Sequence, residues 1–365
     1  MALYLPSLSG GGAERTFLVL AEGLARRGWA VDLVLCRASG PLLGEVSPRV
    51  RLVELGADHV TTSIPALARY LRRRRPDAVL TAMTHANLAA IAAVAICGIR
   101  TRLVVTEHQH LSTFLAGPKA LRARLFPWLI RLLYPRAGEV IAVSNGVAED
   151  LARRTTLPRS TIGVEKNPIR IHEIRTLGGT PPPHPWFGAG KPPVILSVGR
   201  LTRQKDFGTL VRAFRQVRDG RPARLMLLGE GEQRPLLEAL IEELGLAEDV
   251  QIMGFLLNPY PYYGAADLFV LSSLWEGLPT VLLEAMVFGL PIVSTDCPSG
   301  PAEILDGGRL GELVPREDPS ALARALAAAL PPAGARLRRD YDNLLAYDAE
   351  RVVDRYSLLL GSESV

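Results

Sequence analysis

The 365-residue chain has only three cysteines, Cys36, Cys97 and Cys297. They are far apart and set in apolar or strand-end contexts. No disulfide framework or zinc spacing exists, which fits a reducing compartment. Aromatic residues are scarce at 6%, while apolar residues reach 48%. That balance suits an Ala/Leu/Val-rich α/β protein rather than a disordered chain. Long hydrophobic runs are missing as well. The longest, Leu88 to Gly98, is too short to span a bilayer. The opening MALYLPSLSGGG reads as a strand and turn, not as a signal peptide. The length itself suggests about two domains.

Charge is present but unevenly spread. The net charge is +5, yet residues 1–185 hold 24 Lys/Arg against 13 Asp/Glu, and residues 186–365 hold 18 against 24. A basic half beside an acidic half points to an anionic partner for the first. Nucleic acid, an anionic membrane and a phosphorylated acceptor all satisfy it. The stretch Pro118 to Tyr134, PKALRARLFPWLIRLLY, mixes Lys119, Arg122, Arg124 and Arg131 with Leu, Phe, Trp and Ile. It has the composition of an interfacial segment, although Pro127 should interrupt a helix there.

Short apolar runs alternate with helical periodicity throughout. Strands are expected at Leu3–Leu5, Val31–Leu35, Val50–Leu55, Ala78–Leu80, Leu103–Thr106, Val140–Val143 and Ile162–Val164. Helices are expected at Ala13–Arg27, Ile64–Arg75, Ala86–Cys97 and Val147–Arg154. Asn167 to Pro193, with Gly178-Gly179 and Pro181-Pro182-Pro183, reads as a linker without regular helix or sheet. The alternation resumes with strands Val194–Val198, Leu225–Leu228, Val250–Met253, Leu268–Leu271 and Ile292–Thr295. A further helix is expected over Leu344–Leu360. Repeated β–α order predicts parallel doubly wound sheets, which bind ligands at the carboxyl ends of their strands. Gly11 and Gly12, after the first strand, suit close approach of backbone to an anion, or a tight turn. Lys205 stands at a helix N-terminus, where a cation is disfavoured unless an anion lies between it and the dipole. Arg200, just past Val194–Val198, can reach the same anion with a bidentate fork.

The densest signal is Ser272 to Gly300, SSLWEGLPTVLLEAMVFGLPIVSTDCPSG. Glu276 and Glu284 have seven residues between them. Pro279 suits a first helical position, Thr280–Phe288 reads as a helix, and Gly289 closes it. A helix N-terminus after a parallel strand offers free N–H groups to an anion. Two carboxylates beside an anion site make sense if they hold another part of the same ligand. A nucleotide sugar has both parts, phosphates and hydroxyls.

This stretch resembles the signature of glycosyltransferase family 4, as do SVGRL followed by Lys205-Asp206, the GGGAER loop and AVSNGVAEDL. The resemblance implies a GT-B fold, two Rossmann-like doubly wound parallel-sheet domains facing a cleft. Residues 1–170 would form the acceptor-side domain, with a C-terminal helix (about 344–365) crossing back to it. Residues 171–343 would bind the nucleotide sugar. It implies retaining transfer from a UDP-linked donor to a glycan or polyprenyl-diphosphate-linked acceptor in cell-envelope polysaccharide or glycolipid synthesis. Arg200 and Lys205 would clamp the diphosphate with the backbone N–H groups of Thr280 and Val281. Glu284 would take the ribose hydroxyls, Glu276 the sugar hydroxyls, and Gly254 would let the base lie near backbone. Of Glu107, His108 and His110, the family role of orienting the sugar falls to His108, and Gly11 and Gly12 belong to the loop facing the cleft. No metal and no cofactor are expected, nor is nucleic acid as a partner. A cytoplasmic protein, peripheral at the inner membrane face, is the expected setting. A nucleotide-sugar epimerase, a phosphorylase or a non-catalytic binding protein are the competing readings.

Overall fold

In the computed structural model, residues 1–115, 120–180, 182–332 and 335–361 are described, with backbone only for 120–124. The chain divides into two compact units: residues 1–169 with 346–365, and residues 170–345.

The first unit runs β1 (Ala2–Leu5), α1 (Gly12–Arg26), β2 (Asp32–Leu35), β3 (Arg51–Glu54), α2 (Val60–Arg74), β4 (Ala78–Ala82) and α3 (Thr84–Cys97). It continues with β5 (Arg102–Glu107), α4 (Leu111–Leu115), α5 (Ala120–Leu133), β6 (Glu139–Ala142), α6 (Asn145–Thr155) and β7 (Ile162–Val164). All seven strands are parallel, in the order β3-β2-β1-β4-β5-β6-β7. The order reverses between β1 and β4, which opens a crevice at their carboxyl ends. β1, β2 and β4 are buried along their whole length, because helices cover both faces.

The second unit runs α7 (Ile171–Leu177), β8 (Val194–Val198), α8 (Phe207–Gly220), β9 (Arg224–Leu228), α9 (Arg234–Glu243), β10 (Val250–Ile252), α10 (Tyr260–Ala265) and β11 (Leu268–Leu271). Then come α11 (Thr280–Val287), β12 (Ile292–Thr295), α12 (Pro301–Ile304), β13 (Glu312–Val314) and α13 (Pro319–Ala329). Its six strands are also parallel, in the order β10-β9-β8-β11-β12-β13, with the reversal between β8 and β11. Phe207, Leu210, Phe214 and Val217 of α8 lie on the core side, at helical spacing. α14 (Ala349–Gly361) returns to the first unit and packs on α1, where Val353 fills the space above Gly23. Arg27 reaches Asp354 at 2.7 Å and Glu350 at 2.9 Å across the same seam.

Four expectations need correction. The linker is not devoid of helix: Ile171–Leu177 precedes the Gly-Gly pair and contains neither Gly nor Pro. Its Ile174 is buried, and Gly178 closes it where a Cβ would strike the Phe288 ring at 2.3 Å. Pro127 does not stop α5. Its fixed φ is helical, so the cost is a lost ladder bond and the ring's clash with the carbonyl four residues back, together about 3 kcal/mol, and Ile130 and Tyr134 are buried at the far end. Pro279 is the N-cap of α11 rather than its first residue, with ψ at 100°. The last helix starts at Ala349, after a single tight turn over Leu344–Tyr347, and residues 362–365 lie outside those described. β13, a short edge strand, has no run of its own long enough to be read from sequence.

Candidate functional site

In the second unit the predicted residues gather at the carboxyl ends of β8 and β11, the two strands at the reversal. Lys205 Nζ lies 2.5 Å from Glu276 Oε1, and the two side chains are 14% and 8% exposed. The carboxylate therefore provides the anion that a lysine at the start of α8 requires. Glu276 also accepts from Ser273 Oγ at 2.6 Å. The lysine stem lies across Gly199, where a Cβ would come within 3.2 Å of its Cε. Arg200 is next in the chain and exposed. Among the described residues its side chain has no hydrogen bond and no ion pair, so a guanidinium stands uncompensated beside a balanced pair.

α11 adds donors. Its N-cap offers no side-chain hydrogen bond, and the N–H groups of Thr280 and Val281 meet no acceptor among the described residues. The dipole end there carries partial positive charge. Glu284, one turn in, is buried and accepts from Tyr263 Oη at 2.9 Å. Gly254 has φ 81°, and a Cβ there would approach Glu230 Oε1 at 3.0 Å. It pairs with Gly229, whose own Cβ would fall 1.9 Å from the Gly199 carbonyl oxygen. The backbones after β8, β9 and β10 are thus packed in contact, and only glycine fits between them.

Several supports escape sequence reading. Gln204 Nε2 donates to Trp275 O at 2.8 Å, and Leu274 N donates to Gln204 O at 2.8 Å, tying the lysine loop to the glutamate loop. Ser299 Oγ donates to Glu276 O at 2.9 Å, and a Cβ on Gly300 would strike Pro279 Cδ at 2.5 Å. Arg316 Nη1 reaches Leu274 O at 2.9 Å. These partners lie some 20–70 residues from what they hold, so no local pattern marks them. Cys297 is buried, and that burial, with the Glu276 charge, pushes its thiol up to about 12. A cavity of about 570 Å³ along β13 is lined by Asp296, Arg316 and Glu317 but by none of the predicted site residues.

In the first unit Gly11 is the N-cap of α1 and Gly12 its first residue, at the carboxyl end of β1. His108 follows β5 directly. Its ring meets Phe17 of α1 edge-on, with centroids 6.2 Å apart. Thr106 Oγ1 donates its only proton to Thr81 O at 2.8 Å, so it accepts from His108 Nε2–H at 3.0 Å. Nδ1 is left as an acceptor, buried and without a partner among the described residues. Burial holds the imidazole down to about 4, so it is neutral near pH 7. Glu107 points to the opposite face, where burial lifts its carboxyl to about 7 against the pull of hydrogen bonds from Tyr134, Thr84 and Asn87. His110 lies 3.8 Å from Asp150, on the loop leading into α4.

Of the interfacial stretch, Lys119 and the side chains of Arg122 and Arg124 lie outside the described residues. Leu125, Trp128 and Leu132 are 46%, 60% and 45% exposed, at i, i+3 and i+7 on α5. Among the described residues no helix is long and apolar enough to cross a membrane, and no group of three His, Cys, Asp or Glu could hold a metal ion.

Two doubly wound parallel sheets, one carrying a cation–amide site with paired carboxylates at its reversal point, define an α/β class that binds ligands at the carboxyl ends of its strands. Comparison with known proteins narrows it. The model of Glycosyltransferase Family 4 matches residues 10–173, and that of glycosyl transferases group 1 matches residues 192–331. The two matches, one in each unit, are those of a glycosyltransferase of the family 4 type. It is 28% identical to an uncharacterized glycosyltransferase of Methanocaldococcus jannaschii, over 66% of this chain and 60% of that one. It is also 28% identical, over 99% of both chains, to the N-acetylgalactosamine-N,N'-diacetylbacillosaminyl-diphospho-undecaprenol 4-alpha-N-acetylgalactosaminyltransferase of Campylobacter jejuni. The Anabaena HepE crystal structure with UDP and glucose shares the GT-B fold, with TM-score 0.71 and 19% identity over 97% of this chain and 94% of that one.

Proposed function

We propose that this glycosyltransferase moves a hexose-type sugar from a UDP-linked donor, with retention, to a polyprenyl-diphosphate-linked or otherwise acidic glycan in cell-envelope polysaccharide or glycolipid synthesis. The observation that carries this is the uncompensated Arg200 beside the Lys205–Glu276 pair and the free N–H groups of α11. Such a site suits the charge that builds on a departing diphosphate. Arg200, Lys205, Thr280 and Val281 would hold that diphosphate, which makes a metal unnecessary. Glu284 would accept from the ribose hydroxyls, and Gly254 would lie under the base. Glu276 would bind the sugar hydroxyls and stabilise oxocarbenium-like charge. His108 would accept a hydrogen bond from a sugar hydroxyl at its Nδ1.

No side chain has a clear claim as covalent nucleophile. A front-face route follows, in which a donor phosphate oxygen takes the acceptor's proton. The Campylobacter relative, named as a 4-alpha-N-acetylgalactosaminyltransferase acting on a diphospho-undecaprenol-linked sugar, supports the acceptor class. The exposed Leu125, Trp128 and Leu132 beside Arg131 support a peripheral seat on an anionic membrane at the cytoplasmic face. Product NMR with a panel of nucleotide sugars tests the reading. A retained anomeric configuration, in the presence of excess EDTA, is expected. Activity lost to EDTA and restored by manganese, or epimerised donor without acceptor, would end it.

A further inference from the structure

Glu107 is the last residue of β5 and is 2% exposed. Its neighbours on the same strand face, Leu103 and Val105, are apolar and buried. A carboxyl group there is an exception, since burying one without a countercharge is costly. No lysine, arginine or histidine pairs with it among the described residues. Instead three donors from two other elements converge on it. Thr84 Oγ1 reaches Oε2 at 2.8 Å, Asn87 Nδ2 reaches Oε1 at 3.0 Å, and Tyr134 Oη donates to Oε1. Asn87 Nδ2 also donates to the neighbouring carbonyl, Thr106 O, at 2.9 Å. Val143 N, just past β6, donates to Glu107 O at 3.1 Å.

These bonds join the connections that open at the carboxyl edge of β4, β5 and β6. One of those connections is strained. Met83, the N-cap of α3, has φ 77°, held while its N–H donates to Thr106 O at 3.3 Å. His108 leaves the same point on the other face, with its ring set by Thr106 and Phe17.

We propose that Glu107 is a positioning residue for sugar transfer: through Thr84, Asn87 and Tyr134 it locks the end of β5 to the entry of α3, and so sets where His108 presents Nδ1. This rests on the reading of His108 as a ligand of the donor sugar. Glu107→Gln keeps the shape but cannot accept all three donors, and Tyr134→Phe removes one donor. Each is expected to lower kcat about tenfold, as misplacement by a fraction of an ångström does, with the KM for donor within about twofold. The double variant should be no worse than either single one.

The second readout is independent of activity. In protein labelled at histidine nitrogen, His108 should show one tautomer, protonated at Nε2, and a mixture in Glu107→Gln. Wild-type kcat in both single variants, or additive losses, together with unmoved His108 resonances, would overturn the proposal. If wild-type protein transfers nothing from any nucleotide sugar, the functional reading has failed. The nitrogen spectra then decide the lock alone.

Discussion

Removing Lys205 tests whether the pair at β8 and β11 is structural, functional or both. Lys205→Ala leaves the Glu276 carboxylate, 8% exposed, with the Ser273 hydroxyl as its remaining partner. Deleting one member of a buried pair costs about 3–5 kcal/mol, because the other charge stays desolvated and unpaired. The retained Ser273 bond places this case near the lower end, about 3 kcal/mol. In a unit of this size each kcal/mol moves the midpoint by about 2–4 °C, so its melting transition should fall by about 6–12 °C. Glu276→Gln added to Lys205→Ala removes the stranded charge and should recover most of that fall. It should recover no turnover, since both groups are meant for the donor. Differential scanning calorimetry with initial rates separates the two effects. A single variant that melts within about 2 °C of wild type, or a double variant that melts no higher than the single, would refute the reasoning.

Glu284→Ala should weaken nucleotide-sugar binding about 10- to 100-fold through the lost charged hydrogen bonds, read by titration calorimetry. Unchanged affinity would remove Glu284 from the donor site. Burial raises Glu107 from 4.5 to about 7, so the unfolded chain releases that proton first and stability falls as pH climbs through that window. The loss amounts to about 3 kcal/mol. His108, lowered from 6.5 to about 4, has the opposite sign: its contribution is present above 6.5 and lost as pH falls toward 4. Glu107→Gln removes only the first, so its stability relative to wild type should rise with pH in urea titrations, and a constant difference would contradict this. Gly229→Ala should prevent folding of the second unit, because its Cβ would meet Gly199 O at 1.9 Å, whereas Gly245→Ala, with φ 64° in open space, should cost about 1–2 kcal/mol. Soluble yield and far-ultraviolet circular dichroism compare the two. Trp128→Asp should reduce flotation with anionic liposomes, and flotation insensitive to lipid charge and salt would argue against membrane seating.

Much of the fold is legible because buried parallel strands are short apolar runs and their helices carry one apolar stripe. α8 is the plain case, with Leu210, Phe214 and Val217 at helical spacing. The misreadings share a cause. Local breakers argue against helix at Pro127 and over 167–193, while burial of Ile130, Tyr134 and Ile174 decides both. At the candidate site, Arg200, Lys205, Glu276 and Glu284 were visible as residue types at fixed spacing. That Lys205 and Glu276 neutralise each other while Arg200 stands alone was not visible. Nor was the grip of Ser299 on the Glu276 carbonyl, or the three donors gathered on Glu107.

The amino-acid order alone determines the β–α alternation, the place where glycine must stand, and which charged groups follow which strands, because periodicity and backbone sterics act over a few residues. Only the tertiary structure decides which of those groups meet. Lys205 and Glu276 are 71 residues apart, and they touch because β8 and β11 are neighbours at the point where the strand order reverses. Charge compensation, desolvation and the bare nitrogen of His108 are properties of that packing, and electrostatic energy depends on distance in space rather than along the chain.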